Sequence, residues 1–326
     1  MLSVAPMMER TDRHCRYFLK LISPNSWLYT EMITASALTD GGRLDLLKFN
    51  PCEHPVALQL GGSDIEKLSQ AAYLGAKAGY DEINLNVGCP SSRVQSGRFG
   101  ASLMAEPSTV ASCVRAMTRI VDIPITVKTR LGIDNLDSYE FLHNFVGVIS
   151  NAGCRTVIIH ARKALLAGLS PKQNREIPPL NYERVYRLKK DYPSLEIILN
   201  GGLEAEAKVL EVLKHVDGVM LGRQAYNNPC LLSRLDSILF GGSPLVFREN
   251  VLEKYLLYIS RELSAGTPLN IMIRPLFGLY KGCPGSKAWR CFLGELPGGE
   301  QGYELLCEYH QASLQNHVPP LKLASR

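Results

Sequence analysis

From Leu2 to about Gly241 the chain alternates short apolar runs with longer amphipathic ones. The apolar runs predict strands at Leu2–Pro6, Trp27–Glu31, Val56–Leu60, Glu82–Val87, Ile125–Lys128, Thr156–His160, Glu196–Asn200 and Gly218–Leu221. Between most of them lie helix-like segments such as Ser63–Ala78 and Pro107–Val121, with Ser63 or Asp64 as a cap and Gly79 as a stop for the first. Strand and helix alternating in this way over about 240 residues point to an α/β fold, a (β/α)8 TIM barrel. The competing doubly wound sheet would carry a Gly-x-Gly-x-x-Gly turn after an early strand, and the sequence has none.

Beyond about Pro244 the pattern turns helical. Val251, Leu252, Tyr255, Leu256 and Ile259 fall at helical spacing within Glu249–Leu263. Pro268 to Glu295 is basic and aromatic, with Arg274, Tyr280, Lys281, Lys287, Trp289 and Arg290. The organisation expected is a catalytic barrel over residues 1–241, a small all-helical domain over 242–318, and a disordered tail over 319–326 opened by Pro319-Pro320.

Composition narrows the class. The chain has 326 residues, 46% hydrophobic and 21% charged, enough for a large core plus an appendage. A net charge of +5 permits a nucleic-acid partner without demanding one. Its 9 cysteines include no Cys-x-x-Cys pair, which argues against a zinc ribbon or redox dithiol, and no metal site is expected. Charge at Glu9, Arg10, Asp12 and Arg13 spoils a signal peptide, and no apolar run approaches the roughly 18–20 residues of a membrane span. An odd cysteine count then fits a reducing cytoplasm.

Active sites of such barrels form at the C-terminal strand ends. Here those ends read Pro6-Met7, Glu31, Gln59, Asn86 with Cys89, Lys128 with Arg130, His160 with Arg162, Asn200-Gly201-Gly202, and Gly222-Arg223. Any one of them is a strand meeting solvent; together on one rim they argue for an enzyme. The last two strands end where such barrels usually bind phosphate. Their glycines admit phosphate oxygens to backbone N–H groups, and Arg223 adds a bidentate clamp. Lys128 pointing into the mouth asks for an anion. Cys89 sits on a rigid strand end in a Gly-Cys-Pro turn, placed for chemistry rather than packing. A phosphate-bearing cofactor, a lysine near developing negative charge and a thiol acid suit a reduced-flavin reaction.

Ala5-Pro6-Met7, Asn84 to Pro90, Val127-Lys128-Thr129-Arg130, Ile159-His160-Ala161-Arg162, Leu199-Asn200-Gly201-Gly202 and Leu221-Gly222-Arg223 resemble the tRNA-dihydrouridine synthases over nearly the whole chain. Thr11–Phe18, Val56–Gly62 and Gly168–Leu180 look like the bacterial A-type members. The resemblance implies an oxidoreductase acting on a CH–CH bond. FMN would take hydride from NADPH, or NADH, and pass it to C6 of uridines in the tRNA D-loop, at positions 20 and 20a. Cys89 would protonate C5, as a thiol rather than a thiolate. Pro6, Met7 and Gln59 would contact the isoalloxazine, with Lys128 at its electron-rich end. His160, Asn200, Gly201, Gly202, Gly222 and Arg223 would hold the flavin and its phosphate. Asn86 would bind the uracil, and Arg130, Arg162 and Arg175 would line the RNA side. A monomer is expected.

Three positions depart from the pattern: Arg10 stands where an aromatic residue is expected, and Cys283 and Ser286 are unfamiliar in the Pro-Gly turn of the C-terminal segment. In that segment Tyr280 and Trp289 would stack on RNA between the cations. The alternative is a flavin barrel reducing a small pyrimidine, similar to dihydroorotate or dihydropyrimidine dehydrogenases. A third reading is a tRNA-binding protein on a silent, flavin-free barrel.

Overall fold

The structure is a computed structural model that describes residues 1–241 and 248–316; the expected tail at 319–326 and the residues at the expected start of the helical domain lie outside them. Eight parallel strands form the sheet: β1 (Leu2–Val4), β2 (Leu28–Tyr29), β3 (Val56–Gly61), β4 (Glu82–Val87), β5 (Ile125–Arg130), β6 (Thr156–His160), β7 (Glu196–Asn200) and β8 (Gly218–Leu221). Each pairs with its sequence neighbour, and β8 pairs with β1 (Leu2 opposite Val219). A parallel bridge from Ser3 to Trp27 brings β1 to β2 and completes the ring, with Trp27 N–H donating to Leu2 O at 2.9 Å. This is the (β/α)8 barrel expected from the alternation.

The second strand is shorter than its apolar run. Only Leu28–Tyr29 pairs regularly, and a separate segment, Ile33–Thr34, pairs with the far end of β3. Helices Ile65–Ala78, Pro107–Ile120, Tyr139–Asn151 and Tyr182–Asp191 interleave with the strands. The Asp64 carboxylate accepts from Lys67 N at 2.9 Å to start the first, and Gly79 ends it in the left-handed region (φ 99°). A Cβ on Gly75 would lie 2.5 Å from Leu58 Cδ2, so this helix rests closely on β3. Leu58, Leu60, Ile83, Leu85 and Val87 are fully buried, and period-two alternation sends the polar positions of the same strands inward.

The chain divides into two compact units: residues 1–9 with 26–222, and residues 10–25 with those from Arg223 on. The expected boundary at 241 therefore falls inside the second unit. Helices Arg13–Ile22 and Pro229–Phe240 bury their faces within it. The buried carboxylate of Asp236 accepts from Ser23 Oγ (2.5 Å), Asn25 N (3.0 Å) and Asn25 Nδ2 (2.9 Å). His14 Nδ1 meets Tyr258 Oη at 2.7 Å. In the same unit Trp289 is fully buried and donates to Leu276 O at 2.7 Å, and Tyr280 and Tyr309 pack their rings 5.1 and 5.0 Å from it. The expected stacking of Tyr280 and Trp289 on RNA is thus replaced by a core role; Arg274, Lys281, Lys287 and Arg290 are exposed around that core. Among the described residues no helix is long and apolar enough to cross a membrane.

Candidate active site

The Gly-Cys-Pro turn is held by the strand that delivers it. Asn86, buried near the end of β4, turns its carboxamide oxygen to the turn and accepts from Gly88 N (3.2 Å) and Cys89 N (3.0 Å). From outside, Cys89 O accepts from Ala101 N at 2.9 Å, and Gln95 Nε2 donates to Pro90 O at 2.9 Å and Leu166 O at 2.7 Å. Gly100 (φ +76°) passes so close that a Cβ there would sit 2.5 Å from Cys89 O; only glycine fits. The Cys89 thiol is free and half-buried, with Sγ 3.6 Å from Ser91 Oγ. Cys113 and Cys154 are buried, which pushes their thiols up to about 11 and about 12.

Neighbouring strands set the rest of the rim level with this turn. Asn86 is in register with Lys128, Arg130 with His160, and His160 with Asn200. Lys128 Nζ donates to Asn200 Oδ1 at 3.0 Å, and Asn200 Nδ2 donates to Met220 O at 2.7 Å. Burial first, then the Arg130 charge, brings the Lys128 ammonium down to about 7. His160 is held well below its ordinary value by burial and then by Arg130, Lys128, Arg162 and Arg175, so it is a neutral imidazole at pH 7. Gln59 on β3 donates from Nε2 to Asn84 Oδ1 (2.7 Å) and accepts from Asn86 Nδ2 (2.9 Å).

The arginines divide. Arg130 is buried, with Nε on Gly88 O (3.1 Å) and Nη1 on Asn174 O (2.9 Å) and Lys163 O (3.3 Å). Its guanidinium fixes the loop carbonyls around the Cys89 turn. Arg162 Nη1 donates to Glu176 O at 3.3 Å and to Pro178 O, tying down the loop that carries the exposed Arg175.

At the end of β7, Gly201 (φ +112°) and Gly202 (φ +67°) turn the backbone sharply. A Cβ on Gly201 would press on His160 Cδ2 at 2.7 Å, and one on Gly202 on Leu180 Cδ1 at 2.4 Å. Among the described residues neither amide N–H has a hydrogen-bond partner. Pro6, Met7 and Gly222 are half-buried beyond the ends of β1 and β8. Arg223 is the first residue of helix Arg223–Asn227 in the second unit. Unpartnered amides at a glycine turn suit a phosphate. A half-buried lysine facing no carboxylate among the described residues suits an electron-rich ring or an anion. The donor set fits a flavin mononucleotide.

The sequence model of the dihydrouridine synthase (Dus) family matches residues 3–313. The chain belongs to that family. It is accordingly an oxidoreductase. Curated relatives include the tRNA-dihydrouridine(20/20a) synthase of Shewanella oneidensis, 56% identical over 90% of this chain and 88% of that protein. Those of Vibrio vulnificus (55%, 90% of each chain) and Escherichia coli K12 (54%, 90% of this chain and 85% of that protein) carry the same name. Among solved structures, a 2-naphthoyl-CoA reductase complexed with 2-naphthoyl-CoA superposes with a TM-score of 0.55 at 10% identity, over 74% of this chain and 50% of that one. This chain thus spans half the length of that structure, and the likeness is one of fold alone.

The rim thus brings together Lys128, Asn200 and the Gly201–Gly202 turn on one side, and the free Cys89 thiol on its pinned turn on the other. Not foreseen from the sequence were Tyr29, Glu82, Asn84 and Thr126, all buried and hydrogen-bonded inside the barrel. A signal for two of them was present. Glu82 and Asn84, with Asn86, alternate with Ile83, Leu85 and Val87, although a barrel strand is covered on both faces and has no wet side.

Proposed function

We propose that this protein reduces the C5–C6 double bond of D-loop uridines in tRNA, at positions 20 and 20a, with FMN as its flavin and NADPH as reductant. The names of its relatives at 54–56% identity support the substrate. The observation that carries the chemistry is the free thiol of Cys89, fixed by Asn86 on the same rim as Lys128 and His160. When bound, FMN supplies the hydride for C6 of the uracil. Cys89 Sγ–H delivers the proton to C5, as a rigidly placed general acid. The second Nδ2 proton of Asn86, which has no acceptor among the described residues, is available to a uracil oxygen. Lys128 and neutral His160 face the flavin, Pro6, Met7 and Gln59 bound its ring, and the Gly201 and Gly202 amides with Gly222 take its phosphate.

The target base must be turned out of the folded tRNA to reach a barrel mouth. Exposed Arg175 on the barrel unit, and Arg274, Lys281, Lys287 and Arg290 on the helical one, supply phosphate contacts. The enzyme acts as a monomer in the cytoplasm. Mapping dihydrouridine in tRNA from a strain lacking this protein tests the reading. Loss at positions 20 and 20a, restored by the wild type and not by Cys89→Ala, is expected; restoration by Cys89→Ala removes Cys89 from the mechanism.

A further inference from the structure

A line of hydrogen bonds runs up the inside of the barrel to the Cys89 turn, and every bond in it points the same way. At the lower end Tyr29 Oη and Thr126 Oγ1 both donate to Glu82 Oε1, at 2.8 and 2.5 Å. Asn84 Nδ2 donates to Thr126 Oγ1 (2.8 Å), Gln59 Nε2 to Asn84 Oδ1 (2.7 Å) and Asn86 Nδ2 to Gln59 Oε1 (2.9 Å). Asn86 Oδ1 is left facing the N–H groups of Gly88 and Cys89. A carboxamide alone sits equally well in either flip. Here the flips are coupled. The Thr126 hydroxyl has one proton, and giving it to Glu82 leaves Thr126 only able to accept from Asn84. Asn84 then presents its oxygen to Gln59, and Gln59 presents its own to Asn86. The acceptor at the foot of the line decides which atom of Asn86 reaches the turn.

We propose that Glu82 is a positioning residue for Cys89: as the terminal acceptor it orients Thr126, Asn84, Gln59 and Asn86 so that Asn86 Oδ1 clamps the Gly88 and Cys89 amides. The proposal rests on Cys89 acting as the proton donor for its consequence in turnover, but the clamp itself is measurable without catalysis. On the flavin-loaded protein, backbone hydrogen exchange at Gly88 and Cys89 and iodoacetamide labelling of Cys89 are compared in Glu82→Leu, Thr126→Val, the double variant and Glu82→Gln. Glu82→Leu and Thr126→Val should each speed exchange at both amides at least tenfold and lower kcat for tRNA about tenfold, with flavin reduction by NADPH within twofold of wild type. Because the groups act in series, the double variant should match the single ones. Glu82→Gln keeps an acceptor oxygen for both hydroxyls and should restore the clamp to within threefold.

Unchanged exchange in Thr126→Val, or effects that multiply in the double variant, overturn the proposal. Should Glu82→Leu fail to fold, Thr126→Val and Glu82→Gln decide it. Retained turnover in Cys89→Ala would refute the proton-donor reading alone, since Gly88 exchange still reports the clamp.

Discussion

The interior of this barrel has two unlike halves. Along β6, β7 and β8, Ile158, Ile198 and Met220 point inward and pack with Ala5, Ala57 and the ring of Tyr29 in a fully buried cluster. That is the usual filling of such a barrel, side chains stacked in layers without direction. Along β3, β4 and β5 the same inward positions hold Gln59, Glu82, Asn84, Asn86, Thr126 and Lys128. The apolar half stabilises by the area it removes from water and is indifferent to which atom of a side chain faces which neighbour. The polar half gains little net stability per hydrogen bond, but it has a sense of direction and can carry position from the foot of the barrel to its mouth. Tyr29 belongs to both, its ring in the cluster and its hydroxyl on Glu82.

The largest effect should come from the apolar half. Ile198 is fully buried, and a Cβ on the facing Gly218 would come within 2.6 Å of its Cδ1, so the site has little freedom to collapse. Ile198→Ala should cost about 4 kcal/mol of unfolding free energy. Urea denaturation measures it, and iodoacetamide labelling of Cys89 in the folded variant should stay at the wild-type rate. A changed labelling rate would mean that the two halves are not separable.

The next largest concerns Glu82. Burial, against the opposing hydrogen bonds from Thr126 and Tyr29, raises its carboxyl to about 7, with Glu196 and Asp81 adding to the rise. An unfolded glutamate ionises near its ordinary value, so the unfolded chain loses this proton first as pH rises. Stability from this group is therefore complete below the ordinary carboxylate range and falls as pH climbs through it, levelling off above about 7. The loss is about 3 kcal/mol. Glu82→Gln, which cannot ionise, should gain on the wild type by that amount between pH 4 and pH 8, read as the difference in urea midpoints. A constant difference across that range would place the raised ionisation elsewhere.

The same contrast explains what was legible in the sequence. β4, β6, β7 and β8 fall at the residues expected: unbroken apolar runs define the last three, and the regular spacing of Ile83, Leu85 and Val87 defines β4. The rim followed directly, since strand ends in a barrel share one face. What escaped was any role made by partners remote in the chain. Arg130 ends a strand as an RNA-facing cation would, yet its guanidinium is closed over by the carbonyls of Gly88, Lys163 and Asn174, from the connections after β4 and β6. Trp289 and Tyr280 lie among lysines and arginines in sequence, but the helix Ser286–Glu295 and the turn before it send the rings inward and leave the charges outside. The Tyr29–Glu82 contact joins residues on the two strands that flank β3, and the inward curvature of the sheet across Ala57 brings them together.

The smallest effect sharpens the polar half at its upper end. Among the described residues Lys128 donates only to the neutral Asn200 oxygen, and burial brings its ammonium down to about 7. An electron-rich or anionic group beside it favours the charged form, so binding FMN should draw a proton onto Lys128 wherever the free lysine is already neutral. Below about pH 7 both states carry the proton and affinity is flat. Between pH 7.5 and 8.5 the bound state holds nearly one proton more, and affinity should fall close to tenfold, about 1.2 kcal/mol. Calorimetry of FMN binding to the flavin-free protein in two buffers of different ionisation enthalpy counts that proton. Lys128→Met should bind more weakly at pH 7 and lose the slope, while Ile198→Val, a change confined to the apolar half, should keep both. If Lys128→Met retains the slope, the proton belongs to another group, and Lys128 is not where the polar half meets the flavin.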